Sequence, residues 1–411
     1  MTTPASGAPR PAAPKVLYVE GNVDGTIGGS YYSLLFLAGG LDRTRYDPHV
    51  TFHQDHALMP RYEAADVHPR VLPKPRPLHL PGTAADAPAV VRAAMRMLQR
   101  AVNMVRFFAA IGGYARRLRR EHVAVLHLNN SPTRGHDWML AARLAGVPCV
   151  VHERGINAVF SRLERWLGPR LAAIICISEA SRASLVGAGL ARDNVHVIHN
   201  GVDPDRVQPT ADPAEVRREL GLAPGDRAVG LVGNIRSWKG QDVLVRAIPA
   251  VLARVPDFKV LLVGATAEPD RPFEIELRAL IAKLGVERQV IFTGYRANPA
   301  DVLQVAEIAV HTSVTPEPFG RVLLEGMALR LPIVGSGDGA VPEIVEDGVT
   351  GLLFPPGNAD VLAEKLLALL EDPARSRAMG DAGYARLQAH FHVQRNVERT
   401  MAIYDRALAR T

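Results

Sequence analysis

The sequence predicts an α/β protein with two domains, each built on a doubly wound parallel sheet, that face each other across a cleft. Short apolar strands alternate with helical segments along both halves of the chain, the order that parallel sheets require. A polar segment rich in proline, glycine and aspartate separates the halves at 205–225. The 411 residues suffice for two domains, each with its own core.

The expected domain organisation follows from this pattern. We expect a disordered tail at 1–14, a first domain at 15–204, a linker at 205–225, a second domain at 226–390, and a C-terminal helix at 391–411 that could pack back on the first domain. The tail lacks the apolar segment of a signal peptide, and no apolar run approaches the roughly 20 residues of a membrane span. We therefore expect a cytoplasmic protein, with peripheral binding at the inner membrane face as an option.

Composition narrows the class of protein. The hydrophobic fraction of 47% and the charged fraction of 22% are typical of globular chains. The two cysteines, Cys149 and Cys176, lie inside apolar runs, which indicates buried thiols and not a disulfide framework. The formal charge of +6 favours anionic ligands or surfaces, but charge alone does not choose between nucleotides, lipids and nucleic acid.

The first half opens with a strand at 15–20, a glycine-rich turn and a helix at 31–38. The turn contains Gly28 and Gly29, but its glycine spacing does not fit the dinucleotide-binding G-x-G-x-x-G pattern. Two interpretations stay open: the glycines let the loop approach a ligand, or they only form a turn.

After a strand at 49–53, the stretch 88–120 reads as one long helix in which arginines alternate with apolar residues at helical spacing. A basic amphipathic helix of this kind can lie on an anionic membrane. It can also pack on its own domain with a solvated basic face. The sequence leaves both alternatives open.

A strand at 123–128 and a helix at 138–145 lead to the next strand, V-P-C-V-V-H-E-R-G, which delivers His152 to a loop at its carboxyl end. Ligands bind beyond the carboxyl ends of strands in open α/β sheets, so His152 is a candidate functional residue facing the cleft. The rest of the half alternates in the same way: helices at 158–167 and 179–186, and strands at 173–178 and 195–198.

The second half restarts the alternation with the strand 228–232 and the motif V-G-N-I-R-S-W-K-G. Its Arg236 and Lys239 lie on a loop at a strand end, where two cations can hold a diphosphate and neutralise it as it leaves. The motif is not a Walker A loop, and read alone the two cations could also be surface charges. Further strands are expected at 259–263, 289–293 and 308–311, and helices at 241–254, 273–284 and 299–306.

The stretch 311–351 carries the strongest signal. A proline-rich loop feeds a helix that opens near Phe319 and Gly320, where unpaired backbone N–H groups and the helix dipole suit a phosphate. Glu325, two turns along, could accept hydrogen bonds from sugar hydroxyls. If Glu317 and Glu325 lay on one helix, they would be about 12 Å apart, too far for a retaining glycosidase pair and generous for an inverting one. Because Glu317 is expected in the loop, this distance does not decide the question, but the phosphate-binding surroundings argue against a glycosidase. The structural alternative is that Glu317 caps the helix and Glu325 is an exposed helix residue.

Two further acidic motifs have alternative explanations. Glu343 follows Pro342 at a predicted helix start, so it is either a capping residue or a ligand contact. The segment Asp203-Pro204-Asp205 has the form of a metal-binding D-x-D motif, but its place at a turn into the linker favours turn chemistry. We therefore expect no metal site.

Taken together, the motifs resemble those of one family, the retaining glycosyltransferases of family 4 with the GT-B fold, also called glycosyl transferases group 1. The residues that carry the resemblance are V-G-N-I-R-S-W-K-G, E-P-F-G-R-V-L-L-E-G-M-A, G-A-V-P-E-I-V-E-D-G-V-T-G-L-L-F-P-P-G, and I-S-E-A-S with V-I-H-N-G-V-D. The resemblance is strong in the second half and loose before about residue 120. It implies two Rossmann-like domains with a nucleotide-sugar donor held by the second.

The resemblance also assigns roles. It implies that Glu325 holds the ribose, that Glu317 faces the donor sugar, and that Lys239, Arg236 and His152 assist the chemistry. The expected donor contacts are Gly28, Gly29, Gly233, Asn234, Arg236, Lys239, Pro318, Phe319, Gly320, Arg321, Val322, Glu325 and Glu343. Many relatives have arginine where this chain has Asn234, so Arg236 could supply that charge.

The function hypothesis is metal-independent, cofactor-free transfer of a hexose from a UDP- or GDP-sugar, with retention at the anomeric carbon. The acceptor is a glycan, a lipid-linked compound or a small molecule, and no nucleic-acid partner is expected. The alternatives are a sugar-nucleotide epimerase of the same fold and a non-catalytic nucleotide-sugar-binding protein. Contact of the 88–120 helix with an anionic membrane is an added hypothesis.

Overall fold

A computed structural model describes residues 13–23, 27–75, 77–78, 89–190 and 193–410. Within these ranges the chain forms a seven-stranded sheet in the first half and a six-stranded sheet in the second. The strand pairs inside both sheets are parallel. The predicted fold class is confirmed. Most of the expected tail at 1–14 lies outside the described residues.

In the first half, strands and helices alternate from the start of the described chain. They are β1 (Lys15–Val19), α1 (Gly29–Gly39), β2 (Asp47–Phe52), α2 (Met59–Ala64), β3 (His68–Val71), α3 (Ala89–Arg120), β4 (Val123–Leu128), α4 (His136–Ala145), β5 (Cys149–Glu153), α5 (Arg162–Leu167), β6 (Ala173–Cys176), α6 (Glu179–Gly187) and β7 (Val195–Val197). The strand order across the sheet is β3-β2-β1-β4-β5-β6-β7.

The second half continues the alternation and ends in three helices. Its elements are α7 (Pro213–Glu219), β8 (Arg227–Val232), α8 (Gln241–Leu252), β9 (Phe258–Val263), α9 (Arg271–Leu284), β10 (Val290–Gly294), α10 (Ala300–Leu303), β11 (Ile308–His311), α11 (Arg321–Ala328), β12 (Ile333–Ser336), α12 (Val341–Ile344), β13 (Gly351–Phe354), α13 (Ala359–Leu370), α14 (Pro373–His390) and α15 (Val393–Leu408). The strand order is β10-β9-β8-β11-β12-β13.

The central strands are apolar on both faces because helices cover both sides of each sheet. In β1, Leu17 and Val19 pack in one core with α3 and α4, while Val16 and Tyr18 pack in another with α1 and α15. In both sheets the carboxyl ends of the strands lie along one edge, which is where side chains are available for ligands.

The segment predicted as a linker contains a short turn and a packed helix. Asp203 caps a short 3-10 turn by accepting a hydrogen bond from the backbone N–H of Asp205, which is turn chemistry. Farther along, Val216 of α7 is buried against Ala228 and Leu261 of the second sheet. This part of the segment is packed on the second half of the chain.

The C-terminal helix α15 returns to the first half. Val397 and Tyr404 are buried in the core that also contains residues of β1 and α1. At its surface, Asp405 accepts hydrogen bonds from Arg45 at 2.7 Å and from the Tyr46 hydroxyl at 2.6 Å. The helix α15 therefore completes the core that lies on the α1 side of the first sheet.

The helix α3 is anchored at one end only. Its buried residues begin at Ile111 and continue with Tyr114, Ala115 and Leu118, which pack beside α4. The preceding part, from 89 to 110, carries exposed apolar side chains. A search of the described residues finds no helix with the length and apolarity of a membrane span.

Candidate functional site

The entrance of α11 is shaped by a glycine. Gly320 has a φ of +86°, in the left-handed region that favours glycine, and a Cβ there would lie 3.0 Å from the Leu323 Cδ1 atom. Phe319 is buried in the core, so only its backbone can face a ligand. The first turn of α11 has no acidic residue, which leaves the positive end of the helix dipole unopposed there.

Beside this entrance lies a compact polar cluster around Glu317. The Lys239 Nζ atom donates to Glu317 Oε2 at 2.8 Å, and the Ser313 hydroxyl donates to the same oxygen at 3.1 Å. The His311 Nε2 atom lies 3.1 Å from that oxygen as well. The loop that follows β8 and the loop that follows β11 therefore meet at one carboxylate.

The surroundings keep Glu317 ionised. Burial by itself raises the pKa of the carboxyl group, but the hydrogen bond with His311 and the charge of Lys239 hold the pKa of Glu317 well below its usual range. The Lys239 side chain is partly buried, and its Nζ atom lies 4.2 Å from the centre of the Trp238 ring, a cation–π contact. A partly buried, oriented ammonium group beside a helix entrance can bind a phosphate.

A second loop fixes the backbone of Glu317. The N–H of Ala340 donates to the Glu317 carbonyl at 2.9 Å. A Cβ at Gly339, where φ is +61°, would lie 2.4 Å from the same carbonyl oxygen, so this approach requires glycine. The loop that follows β12 therefore supports the site without contributing a charged group to it.

The other predicted cation of this half, Arg236, is engaged with a carboxylate. Its Nε atom lies 3.0 Å from Asp270 Oδ2 at the start of α9. Asn234 is exposed at the end of β8, and a Cβ on its neighbour Gly233 would lie 3.7 Å from Lys239 Cδ. The position of Arg236 on the same loop as Lys239 is compatible with the diphosphate contact expected of it, and that contact stays a prediction.

Arg321 and Glu325 form an ion pair along α11, with the guanidinium NH2 donating to Glu325 Oε1 at 3.0 Å. The same guanidinium lies 5.5 Å and 5.4 Å from the ring centres of Tyr32 and Phe36 on α1. Its Nε and NH1 atoms are buried and have no hydrogen-bond partner among the described residues. Buried N–H groups without partners are rare, and an anionic ligand between α1 and α11 would satisfy them.

The first half also carries polar groups at the edge of its sheet that faces the second half. The Arg154 guanidinium donates to Asn129 Oδ1 at 2.6 Å and to Asn200 Oδ1 at 3.0 Å, and the Asn129 amide donates in turn to Glu20. Burial lowers the pKa of Arg154 to about 10; the charge of Glu20 opposes this shift, and the charge of Arg321 contributes to it. Arg154 therefore lies within electrostatic reach of Arg321 on the other half.

The glycines at the start of α1 lie in open space. An added Cβ at Gly28 or Gly29 would meet no atom of the described chain within 4 Å. Packing therefore does not require glycine at either position, and there is room for a ligand at the helix N-terminus. Their expected role near the diphosphate stays a prediction.

The expectation that the His152 side chain faces the cleft needs correction. His152 is completely buried, and its Nδ1 atom lies 3.0 Å from His127 Nε2. His127 in turn lies 2.5 Å from the Tyr404 hydroxyl of α15, and Tyr404 donates to the Tyr18 hydroxyl at 2.9 Å. Burial lowers the pKa of both histidines, so both are neutral at physiological pH. The ring belongs to a buried polar chain, and its Nε2 atom has no hydrogen-bond partner among the described residues. Its expected role near the donor sugar stays a prediction.

Glu343 also has a different position from the one expected. Its two carboxylate oxygens accept from the backbone N–H groups of Glu179 and Ala180, at 2.8 and 2.9 Å, and one of them lies 2.8 Å from His199 Nε2. It therefore caps α6 of the other half of the chain. These contacts account for the carboxylate without a donor.

One group of described residues has the spacing of metal ligands: Asp47, His49 and His68. These residues lie at the amino ends of β2 and β3, opposite the edge that carries the polar clusters. The expectation that the reaction needs no metal is left untested by this arrangement.

The structure brings Lys239, Glu317, Gly320 and the α11 ion pair together at one edge of the second sheet, with Arg236 on the same loop as Lys239. Sequence reasoning missed His311 and Ser313, which contact Glu317 directly. The signal for both was their position at the end of β11, immediately before the proline-rich loop. Pro318 and Val322 flank the entrance, and the Pro318 carbonyl accepts from the Ser178 hydroxyl at 2.8 Å.

The geometry defines a two-domain α/β protein with a cluster of charged and polar groups at one edge of its second sheet, and the comparisons with known proteins place this fold in a family. The profile described as Glycosyl transferases group 1 matches residues 212–386, and that described as Glycosyltransferase Family 4 matches residues 27–206. The chain belongs to this glycosyl transferases group 1 family.

Two curated relatives match over most of their length. The 2-deoxystreptamine glucosyltransferase of Streptomyces kanamyceticus is 31% identical over 67% of this chain and 76% of its own. The α-maltose-1-phosphate synthase of Mycolicibacterium smegmatis is 31% identical over 77% of this chain and 84% of its own length. With a lipopolysaccharide core biosynthesis mannosyltransferase of Rhizobium meliloti the identity is also 31%, but the match spans 51% of this chain and 60% of that protein.

Solved structures share the fold over nearly the whole chain. The Anabaena protein HepE in complex with UDP-glucose has a TM-score of 0.76 and 25% identity, covering 95% of this chain and 99% of that one. A glycosyltransferase from Rickettsia africae has a TM-score of 0.79 at 18% identity, and the match covers 97% of this chain and 100% of that one.

Proposed function

We propose that this protein is a retaining glycosyltransferase that moves a hexose from a nucleotide diphosphate sugar to an acceptor. The observation that carries the proposal is the cluster of Lys239, Glu317 and His311 beside the glycine entrance of α11. It offers a partly buried cation, an ionised carboxylate and a helix N-terminus side by side. These are the groups that a diphosphate attached to a sugar needs.

The donor would bind along α11. The diphosphate would be held by Lys239, by Arg236 and by the backbone of Phe319 and Gly320, with Gly28 and Gly29 closing the site from the first half. Glu325 would accept hydrogen bonds from the ribose hydroxyls, and Arg321 would then be released toward the phosphates. In support, the Anabaena structure holds UDP-glucose, and one relative is a GDP-mannose-dependent mannosyltransferase. We therefore propose a UDP- or GDP-sugar.

Retention of configuration is proposed from the state of Glu317. Lys239, His311 and Ser313 all contact its Oε2 oxygen, so the carboxylate is suited to orienting the ammonium group and the sugar, and poorly suited to forming a covalent intermediate. The acceptor would attack on the face from which the diphosphate leaves. Lys239, Arg236 and the helix N-terminus would neutralise the negative charge that develops, so that no metal ion is required.

Peripheral contact with an anionic membrane through α3 is part of the proposal. Between 89 and 110, α3 exposes a continuous apolar surface: Val90, Val91, Met97, Leu98, Met104, Val105 and Phe108. Its 32 residues include eight arginines and no aspartate or glutamate. An exposed apolar surface bordered by arginine fits a bilayer of anionic phospholipid.

Donor turnover in two variants tests the assignment. Lys239→Ala removes the cation that contacts Glu317 and should lower kcat by about a hundredfold or more, as loss of a preorganised charge contact does. Glu325→Ala removes the ribose contact and should raise the donor KM by about tenfold. UDP- and GDP-sugars are assayed with a chelator present, because the proposal requires no metal.

Matched controls in the same half are Lys283→Ala and Glu364→Ala, which change exposed side chains of α9 and α13. Normal rates in both Lys239→Ala and Glu325→Ala would refute the site. Product formation that does not depend on an acceptor would instead indicate an epimerase.

A further inference from the structure

The first half contains a cavity of about 1160 Å³ that the donor does not account for. It lies at the carboxyl ends of β1, β2, β3 and β4 and is roofed by α3. Its floor includes Gly21 and Asn22, next in the chain to Glu20 of the Arg154 network. The cavity is therefore adjacent to the edge that faces the second half, and its volume is that of a small-molecule site.

One stripe of α3 forms the roof. Asn103, Arg106, Phe107 and Ala110 have the i, i+3, i+4, i+7 spacing of a single helix face, and all four line the cavity. The opposite face carries the exposed apolar residues described above. The same helix thus borders the cavity on one side and carries the proposed membrane surface on the other.

The lining combines positive charge with apolar surface. Lys74, Arg106 and Arg134 supply the cations, against the carboxylates of Asp55 and Asp137. Asp137 lies in the first turn of α4 and accepts from the Trp138 N–H at 3.0 Å, so the helix N-terminus offsets part of its charge. The apolar part of the wall consists of Val23, Val71, Pro73, Pro75, Pro77, Phe107 and Ala110.

We propose that this cavity binds the acceptor, and that the acceptor is a lipid carrying a phosphate or diphosphate group between its apolar chain and a sugar with a free hydroxyl. The phosphate lies among Lys74, Arg106 and Arg134. The first carbons of the chain lie against Phe107 and Ala110. The remainder of the chain continues past α3 into the bilayer on which the helix rests.

The proposal rests on the proposed glycosyl transfer and specifies its acceptor. In that reaction the acceptor hydroxyl oxygen forms a bond to the anomeric carbon of the donor sugar. The bond from that carbon to the diphosphate breaks, and the diphosphate leaves with the electron pair. The hydroxyl proton passes to the departing diphosphate, so atoms and charge balance without a co-reactant.

A binding measurement on the full chain tests the cavity without requiring turnover. The probes are dodecyl phosphate, inorganic phosphate and the uncharged dodecyl maltoside, each titrated in the absence of donor. We expect saturable one-to-one binding of dodecyl phosphate, and binding at least about tenfold weaker for each of the other two probes. Equal binding of inorganic phosphate would mean a free-phosphate site and would overturn the lipid assignment.

Paired substitutions on α3 locate the binding. Arg106→Gln removes a cation from the cavity, and Ala110→Trp fills the cavity with a large side chain. Each substitution should weaken the binding of dodecyl phosphate by about tenfold or more. The matched controls, Arg100→Gln and Ala109→Trp, change exposed positions on the same helix that do not line the cavity, and should bind normally. Equal effects of the lining and the control substitutions would show that the probe adheres to the helix surface, which would overturn the proposal.

Lys239→Ala separates this inference from the proposed function. That variant should lose donor turnover and keep dodecyl phosphate binding, because Lys239 does not line the cavity. Intact turnover by wild-type protein toward a water-soluble sugar acceptor, together with no dodecyl phosphate binding, would refute the lipid acceptor alone. Absence of donor turnover with intact binding would refute the proposed function alone.

Discussion

At the scale of single residues, the site depends on how one carboxylate is surrounded. Glu317 is buried, which by itself favours the neutral acid, yet Lys239 and His311 reverse that preference. The three groups form a unit: Glu317 orients the ammonium group, and the ammonium group keeps Glu317 charged. Loss of Lys239 or His311 therefore removes part of what keeps Glu317 ionised, and loss of Glu317 removes the group that positions the other two.

The pH dependence of turnover should reveal this unit. Because the pKa of Glu317 is lowered in the folded protein, its carboxylate stays ionised as the pH falls, and kcat/KM of the wild type should show no acid limb from this group between about pH 5 and 8. In His311→Ala, one of the groups that oppose the effect of burial on Glu317 is lost. The pKa of Glu317 therefore rises, and an acid limb should move into this range. The measurement is kcat/KM against pH.

His68→Ala is the matched control, because His68 is an exposed histidine at the amino end of β3. Its pH profile should be that of the wild type. Identical profiles for His311→Ala and His68→Ala would contradict the role given to His311.

At this scale the sequence indicated candidate residues only where a residue sits in a local motif. Lys239, Glu317 and Gly320 are marked by neighbouring glycines, prolines and strand ends. His311 and Ser313 carry no such mark, because their function comes from the way the proline-rich loop folds back on β11. Glu343 was ambiguous for the opposite reason: its helix-capping chemistry was visible, but the helix that it caps belongs to the other half of the chain.

At the scale of elements, α3 has two environments. From Ile111 onward its apolar residues are buried beside α4, whereas Met104, Val105 and Phe108 remain exposed. Exposing so much apolar surface is unfavourable unless something covers it. The proposed bilayer would cover it without requiring a second protein, and the arginines of the helix would match its anionic headgroups.

Vesicle flotation tests this surface. Met104→Asp places a charge among the exposed apolar residues and should weaken binding to vesicles that contain phosphatidylglycerol by about tenfold or more, because a buried apolar side chain contributes about 1.5–3 kcal/mol. Binding to vesicles of phosphatidylcholine alone should be weaker for every variant. The control Ile275→Asp changes an apolar residue of α9 that is 67% exposed.

Unchanged flotation of Met104→Asp would refute membrane contact. A concentration-dependent dimer that Met104→Asp dissolves would show that a second copy of the chain covers α3. Analytical ultracentrifugation of the same proteins distinguishes these results.

Most elements were predictable because buried parallel strands are short apolar runs between helices. The edge strand β3 was not, since His68–Val71 is mainly exposed and contains proline, so its pairing with β2 leaves no apolar pattern. The start of α5 was also misplaced: a capping box between Ser161 and Glu164 begins the helix at Arg162, later than the apolar pattern indicated.

At the scale of the whole molecule, several contacts join the halves, among them the packing of α15 on the first half and the hydrogen bonds of Glu343. The chain crosses back once, so that α15 completes the core of the first half with Val397 and Tyr404. Glu343 then links the second half to α6 and to His199. Neither connection could be predicted from local patterns, because each joins residues more than 140 positions apart in the sequence.

Glu343 gives the last prediction. Burial opposes its ionisation, but the hydrogen bonds from His199, Glu179 and Ala180 hold the pKa of Glu343 below its usual range. A carboxyl group with a lowered pKa in the folded state stabilises the fold fully above its ordinary pKa, and this contribution is lost as the pH falls through the lowered value. Glu343→Gln should therefore reduce the free energy of unfolding at neutral pH by about 1–3 kcal/mol.

The difference in stability between wild type and Glu343→Gln should shrink as the pH is lowered, because the wild-type carboxylate becomes protonated and loses its advantage over the amide. Urea unfolding of the full chain at a series of pH values measures this difference, and small-angle X-ray scattering reports whether the halves separate. Glu364→Gln, an exposed change on α13, should behave as the wild type. A stability difference that stays constant with pH would show that Glu343 stabilises the fold through its shape and not through its charge. A difference of zero at neutral pH would show that Glu343 does not stabilise the contact between the halves.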